Sequence, residues 1–397
     1  MAKAVVLGTP AHGHVNPTLA LVAELVRRGE QVIYITTEEF RSKVEHVGAE
    51  YRSHPEFPDV DRSIYENVFS LAELAMRLTL QFMPRLIDEV TREKPDYVLH
   101  DALAMAGKLI SQRLGIPAVS MFPYFAVLPH KGTGSWRYNL EVLQMLFGKF
   151  PSALRGLQHV WQLRRLHGRK TGLVDIFTNV EQINLVFTSR DFQPHGKSFD
   201  DRFRFVGPQL AFRPQSSDFP FDRLEGKSVI YISLGTLFNE EPDFYVMCFE
   251  AFGGVDHQVV MSVGTKTEIG SLGPIPANFI VRNQVPQLQI LEQADLFVGH
   301  GGFNSVSEGL YYGVPLVAVP QGGDQVLTAF RLKQLGAGIY IHPNKVTPKR
   351  LREAALRALD DPSMRRNSET IGRSLRAAGG HTRAADEVLR YVHRPIP

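Results

Sequence analysis

Short apolar runs rich in β-branched residues alternate along this chain with longer stretches whose apolar positions recur every three or four residues. Val5 to Gly8, Gln31 to Thr36, Ala49 to Ser53, Asp96 to His100 and Ala118 to Met121 are predicted strands. Thr18 to Arg28 and Ala104 to Leu114 carry helical periodicity, and glycines at 29 and 115 stop them. Strands separated by helices predict a parallel sheet with helices on its faces.

A second and more regular series begins at Ser228. Val229 to Ser233, Gln258 to Ser262, Asn278 to Val281, Leu296 to Gly299, Leu316 to Val319 and Gly338 to Ile341 read as strands with helical segments between them. Two α/β units follow, each a doubly wound, Rossmann-like domain. Gly207 to Gly226, with Pro208, Pro214 and Pro220 and no periodicity, has the composition of a connector. The predicted domains are therefore 1–207 and 227–397, with 208–226 as linker and the last helix free to pack back on the first domain. Residues 122 to 195 fit neither series. Their aromatics (Phe122, Tyr124, Phe125, Trp136, Tyr138, Phe147, Trp161) are either added core or the wall of an apolar pocket.

Composition narrows the function classes. At 397 residues, 44% hydrophobic and 21% charged, the chain has the balance of a two-domain globular protein. A net charge of +3 gives no support to nucleic-acid binding or stable membrane association. The densest basic run, Arg164, Arg165, Arg169 and Lys170, reads as a solvated face. Cys248 is the only cysteine, so there is no internal disulfide and the thiol reads as buried filler. The apolar stretch at residues 4–7 is too short for a signal-peptide core, and no window reaches the ~20 apolar residues of a membrane span. A cytoplasmic location is expected.

In open parallel sheets ligands bind beyond the carboxyl ends of the strands, where strand order reverses, usually between the first and fourth strands. In the first unit these strands run into Ala11-His12-Gly13-His14-Val15-Asn16-Pro17 and into His100-Asp101. Asn16 and Pro17 suit an N-cap and a first helical position, which sets His14 just before a positive helix end. That field keeps an imidazole neutral, as a general base must be, and Asp101 can fix its tautomer. The structural alternatives are that His12 caps backbone groups in the turn and that Asp101 is a helix N-cap. Zinc is not indicated, because two histidines two apart in a glycine turn have no further ligand nearby.

In the second unit the equivalent strands end at Leu234-Gly235-Thr236 and at His300-Gly301-Gly302-Phe303-Asn304-Ser305. Glycines before a helix let backbone N–H groups approach an anion, which is the shape of a diphosphate site. Glu308 lies one turn on, placed to accept from ribose hydroxyls, although Ser305-x-x-Glu308 is also a capping box. Asp324 and Gln325 stand at another helix start, supplying acceptors and donors for sugar hydroxyls, with a plain N-cap as the alternative for Asp324. Neither first strand is followed by GxGxxG or GxxxxGK[ST], which weakens dinucleotide and P-loop readings.

Four blocks in order, Gln284-Val-Pro-Gln287, the run from His300 to Gly309, Gly313-Val-Pro-Leu and Pro320 to Gln325, resemble the donor signature of family 1 UDP-glycosyltransferases. With residues 11–17 the chain looks most like their bacterial macrolide-type branch, over nearly its whole length. The resemblance implies the GT-B fold, two Rossmann-like domains facing across a cleft. It implies His14 as base with Asp101 as partner, and His300, Gly302, Asn304 and Ser305 at the diphosphate. It also implies Gln287 and Glu308 at the ribose, Asp324 and Gln325 at the sugar, and Thr236 near the phosphates. Gln284 departs from the pattern, standing where many relatives carry a tryptophan that stacks on uracil. The expected activity is metal-independent, cofactor-free, inverting transfer of a sugar, with glucose preferred, from a UDP-sugar to a hydroxyl of a small lipophilic acceptor such as a macrolide or phenol. A nucleotide-sugar epimerase or hydrolase, or a non-catalytic binding module, is the alternative.

Overall fold

The computed structural model describes residues 2–54, 68–127, 158–159, 161–162, 179–210, 218–236, 239–322 and 324–393. In the first unit β1 (Lys3–Leu7), β2 (Gln31–Thr36), β3 (Glu50–Ser53), β4 (Tyr97–Asp101), β5 (Ala118–Phe122), β6 (Ile183–Val186) and β7 (Phe203–Phe205) pair in parallel. Their order is β3-β2-β1-β4-β5-β6-β7, so it reverses between β1 and β4. The near-continuous apolar character of β1, β2, β4 and β5 follows from burial of both sheet faces. Two strands, β6 and β7, escape the sequence pattern because each is short and broken by a polar residue. Asn184 in β6 is wholly buried and spends its side chain on the backbone of Glu181 and Arg202.

Helices α1 (His12–Arg27), α2 (Arg41–His46), α3 (Val68–Glu93) and α4 (Met105–Leu114) belong to the same unit. α1 starts earlier than its periodicity predicts. Ala11 is the N-cap, and its carbonyl accepts from both His14 and Val15. Asn16 and Pro17 therefore lie inside the helix, and His14 sits in its first turn instead of just ahead of it. The apolar repeat begins only at Val15, so the polar first turn carried no signal.

The second unit has strands β8 (Val229–Ser233), β9 (Gln258–Ser262), β10 (Phe279–Arg282), β11 (Leu296–Gly299), β12 (Leu316–Ala318) and β13 (Gly338–Tyr340), in the order β10-β9-β8-β11-β12-β13. Reversal falls between β8 and β11. Helices α5 (Pro242–Phe252), α6 (Gln287–Gln293), α7 (Phe303–Tyr311), α8 (Gln325–Gln334), α9 (Pro348–Asp360) and α10 (Pro362–Ala377) follow in chain order. Cys248 on α5 is fully buried among the apolar residues of this unit, and burial pushes its thiol well above the usual range.

The compact units are 1–212 together with 378–397, and 213–377. The predicted linker 208–226 is thus divided between them, and the predicted second domain 227–397 loses its end. The final helix, α11 (Gly380–Val392), belongs to the first unit because its apolar stripe, Ala384, Ala385 and Val388, is buried in the core formed with α1. Arg28 to Asp386 at 2.6 Å and the Gly380 N–H to the Val206 carbonyl at 2.6 Å anchor its middle and its start. Among the aromatics of residues 122–195, Phe122 and Phe125 are core, whereas Trp161 is 61% exposed. Trp136, Tyr138 and Phe147, and the basic run of Arg164, Arg165, Arg169 and Lys170, lie outside the described residues. Among the described residues no helix is long and apolar enough to cross a membrane.

Candidate active site

At the β1/β4 reversal the structure brings His14 and Asp101 together, with Nδ1 2.7 Å from Oδ2. Asp101 ends β4 and is fully buried, which would be unfavourable for a lone carboxylate. It is instead held by three donors. Thr9 Oγ1 donates to Oδ1 at 3.2 Å, the Leu103 N–H donates to Oδ1 at 2.8 Å, and the imidazole engages Oδ2. An Nδ1–H donating to the carboxylate leaves the basic lone pair on Nε2, the tautomer a general base needs. Asp101 is not an N-cap, since that position of α4 is Ala104. Tyr124 stands beside the imidazole, ring centroids 5.8 Å apart.

His12 has another role from the one proposed by its turn. Its Nε2 lies 2.8 Å from Glu39 and its ring meets Phe40 edge-on at 5.0 Å. Burial first, and the Lys43 charge second, hold it below the usual histidine range. It ties α1 to the segment after β2.

At the β8/β11 reversal the glycines make room for an imidazole. A Cβ on Gly235 would fall 2.6 Å from His300 Cε1, and one on Gly302 would overlap Nε2. Gly235 and Gly301 also have φ of +77° and +78°, which other residues rarely adopt. Burial drops the His300 pKa to about 4, with the Ser233 backbone opposing the shift. The ring is therefore neutral at physiological pH and can offer a ligand a hydrogen bond but no positive charge. Its Nδ1 is buried without a hydrogen-bond partner among the described residues.

Gly302 is the N-cap of α7 and has no side chain of its own to cap that end. Asn304 and Ser305 lie half-buried in the first turn. Because α7 begins at Phe303, Ser305 is a helical residue and Ser305-x-x-Glu308 is not a capping box. Glu308 is instead drawn to Gln287: Tyr231 Oη donates to Gln287 Oε1 at 2.8 Å, and Gln287 Nε2 donates to Glu308 Oε2. Tyr231, stacked on Phe297 at 4.9 Å, was invisible in an otherwise apolar strand.

Thr236 is exposed immediately after Gly235. Asp324 occupies the N-cap position of α8 without a side-chain capping bond, so the plain N-cap alternative is not realised. Gln325 is buried with Oε1 accepting from the Gln321 N–H at 2.8 Å, so one end of its amide shapes the loop. The Gln325 carbonyl lies 3.3 Å from where a Gly301 Cβ would stand, which sets the start of α8 against the glycine turn. Gln284 is exposed just before α6.

Residues 246–387 match the family described as erythromycin biosynthesis protein CIII-like, C-terminal domain. The chain is 39% identical over 395 residues to the NDP-glycosyltransferase YjiC of Bacillus licheniformis, covering 98% of this chain and 97% of that protein. It is 33% identical over 387 residues to the oleandomycin glycosyltransferase of Streptomyces antibioticus, covering 95% and 87%. The chain belongs to the family 1 glycosyltransferases, in their macrolide-type branch. Among solved structures it superposes with a TM-score of 0.83 on the calicheamicin glycosyltransferase CalG4, at 29% identity and full coverage of both chains. The two parallel sheets of this glycosyltransferase are accordingly those of the GT-B fold. Among its described residues no three His, Cys, Asp or Glu side chains cluster as a metal site would require.

Proposed function

We propose that this glycosyltransferase moves glucose from a UDP-sugar to a hydroxyl of a small lipophilic acceptor, a macrolide or a phenol, with inversion at the anomeric carbon and in the cytoplasm. The observation that carries the reading is the His14–Asp101 contact of 2.7 Å, because its tautomer gives a base aimed by a buried, thrice-held carboxylate. Nε2 takes the acceptor proton as the oxygen attacks the anomeric carbon. Single displacement inverts that centre, and nucleoside diphosphate leaves.

Charge developing on the leaving group meets the α7 helix end, the N–H groups of the glycine turn and the neutral His300, without a metal. Gln287 and Glu308 hold the ribose, with Asn304, Ser305 and Thr236 at the phosphates and Asp324 and Gln325 at the sugar. Glucose is favoured by the acid-amide pair. The test is to incubate the protein with UDP-glucose or TDP-glucose and phenolic or macrolide acceptors. Product is read by mass spectrometry and its anomeric configuration by NMR. Release of nucleotide at full rate without acceptor would identify a hydrolase, and an α-linked product would exclude inversion.

A further inference from the structure

Three consecutive strand ends of the second sheet are tied by two asparagines that the activity does not require chemically. Strand β9 lies between β8 and β10, and the loop after it, Val263 to Thr267, lies between the loops that follow its neighbours. From the β8 side, Asn239 Nδ2 donates to the Gly235 carbonyl at 2.9 Å, and the Asn239 carbonyl accepts from Thr267 Oγ1 at 3.3 Å and Tyr245 Oη at 2.9 Å. From the β10 side, Asn283 Nδ2 donates to the carbonyls of Gly264 at 2.7 Å and Thr267 at 2.8 Å. The Asn283 carbonyl accepts in turn from the Gly264 N–H at 3.0 Å and Ser262 Oγ at 3.3 Å.

One end of this chain of bonds is Gly235, whose missing side chain makes room for His300. The other end is Asn283, adjacent to Gln284. Gly264 has φ +82°, and a Cβ there would overlap the Asn239 amide, so the loop is shaped to admit that amide. Asn239 is 8% exposed, its side chain folds back onto the Gly235 carbonyl of its own loop, and its backbone carbonyl takes the bond from Thr267 in the loop after β9. A loop end held only by local turns would need none of this, because exposed turns satisfy their groups with water.

We propose that Asn239 and Asn283 are positioning residues that fix the distance between the diphosphate turn at Gly235 and the nucleobase segment at Gln284, so that the nucleotide half of the donor binds a preformed site. The proposal rests on reading the turns at Gly235 and His300 as the diphosphate site. Preformed spacing lowers the ordering that binding requires, and it acts on donor affinity and not on the acceptor or the chemical step.

The test uses the enzyme with Asn239→Ser, Asn283→Ser and Gly264→Ala, the last of which keeps the Asn239 amide but crowds it and strains the loop backbone. Each is expected to raise the donor KM, and the Kd for UDP by calorimetry, about 10-fold. Acceptor KM and kcat at saturating donor should stay within about 2-fold. The double Asn239→Ser, Asn283→Ser variant should do little more harm than either single change, since both act on one spacing. A lower kcat or melting temperature with unchanged donor KM would mean a merely structural role and would overturn the proposal. His300→Ala separates the two levels. If it leaves UDP affinity intact, the diphosphate assignment itself is wrong; if it weakens UDP while the asparagine variants bind normally, only the positioning role is wrong.

Discussion

The imidazole of His300 lies so close to Gly302 that any side chain at residue 302 would overlap its Nε2. Gly302 has ordinary backbone angles, φ −63° and ψ 141°, so alanine there is strained only by contact with the ring. Gly302→Ala should therefore keep the fold, seen as unchanged circular dichroism, while it pushes His300 off its position and weakens UDP binding by roughly 10-fold or more. Calorimetry with UDP measures this. Unchanged affinity would show that the ring position does not matter.

The depressed His300 pKa makes a stability prediction with a definite sign. The unfolded histidine titrates near its ordinary value of 6.5, the folded one at about 4. Above pH 6.5 both forms are neutral and stability is independent of this group. As pH falls from 6.5 toward 4 only the unfolded chain takes up the proton, and stability declines by up to roughly 3 kcal/mol. Urea denaturation of wild type and His300→Gln across pH 4 to 8 checks it: the variant should show a shallower loss on acidification. Equal slopes would contradict burial as the cause.

His14→Ala should lower kcat by about 100 to 10,000-fold with UDP affinity unchanged. Asp101→Asn removes the acceptor that orients Nδ1–H and should lose at least ~100-fold. Because the two side chains form one unit at 2.7 Å, the double variant should be no slower than His14→Ala by more than a small factor. Steady-state kinetics with a phenolic acceptor decides this, and fully additive losses would mean separate roles.

Gln284 is exposed, so a larger ring can be accommodated there without disturbing a core. Gln284→Trp should gain about 1 kcal/mol of stacking on the pyrimidine, near a 5-fold fall in donor KM. Competition between UDP and TDP as product inhibitors reads out which base gains more. No change in either KM would place the base elsewhere.

The sheets were legible because a strand buried on both faces is largely apolar, and ten such runs stand out between helical repeats, with the polar, part-exposed β3 as the weak one. The strands β6 and β7 were not, because Asn184 and Arg204 interrupt runs of only four and three residues. At the site, adjacency to a strand-order reversal located His14 with Asp101 and His300 with the glycine turn, since topology fixes which strand ends are neighbours. It did not reveal what each group does with its hydrogen bonds. That Thr9 and the Leu103 N–H hold Asp101, or that Tyr231 reaches Gln287, depends on side-chain directions across strands far apart in sequence. Spacing within one segment does not carry that information. The start of α1 was misplaced for a related reason: a helix turn that presents polar residues to a site has no apolar face to announce it.

The return of α11 to the first unit sets an order of events during synthesis. Ala384, Ala385 and Val388 complete a core whose other members lie between Ala4 and Val206, so the amino-terminal unit stays unfinished until α11 leaves the ribosome. The intervening unit, continuous in sequence, has all its own strands by then. A nascent chain that stalls before residue 380, or a protein clipped there, therefore carries a whole second unit joined to an open hydrophobic seam on the unit that bears His14.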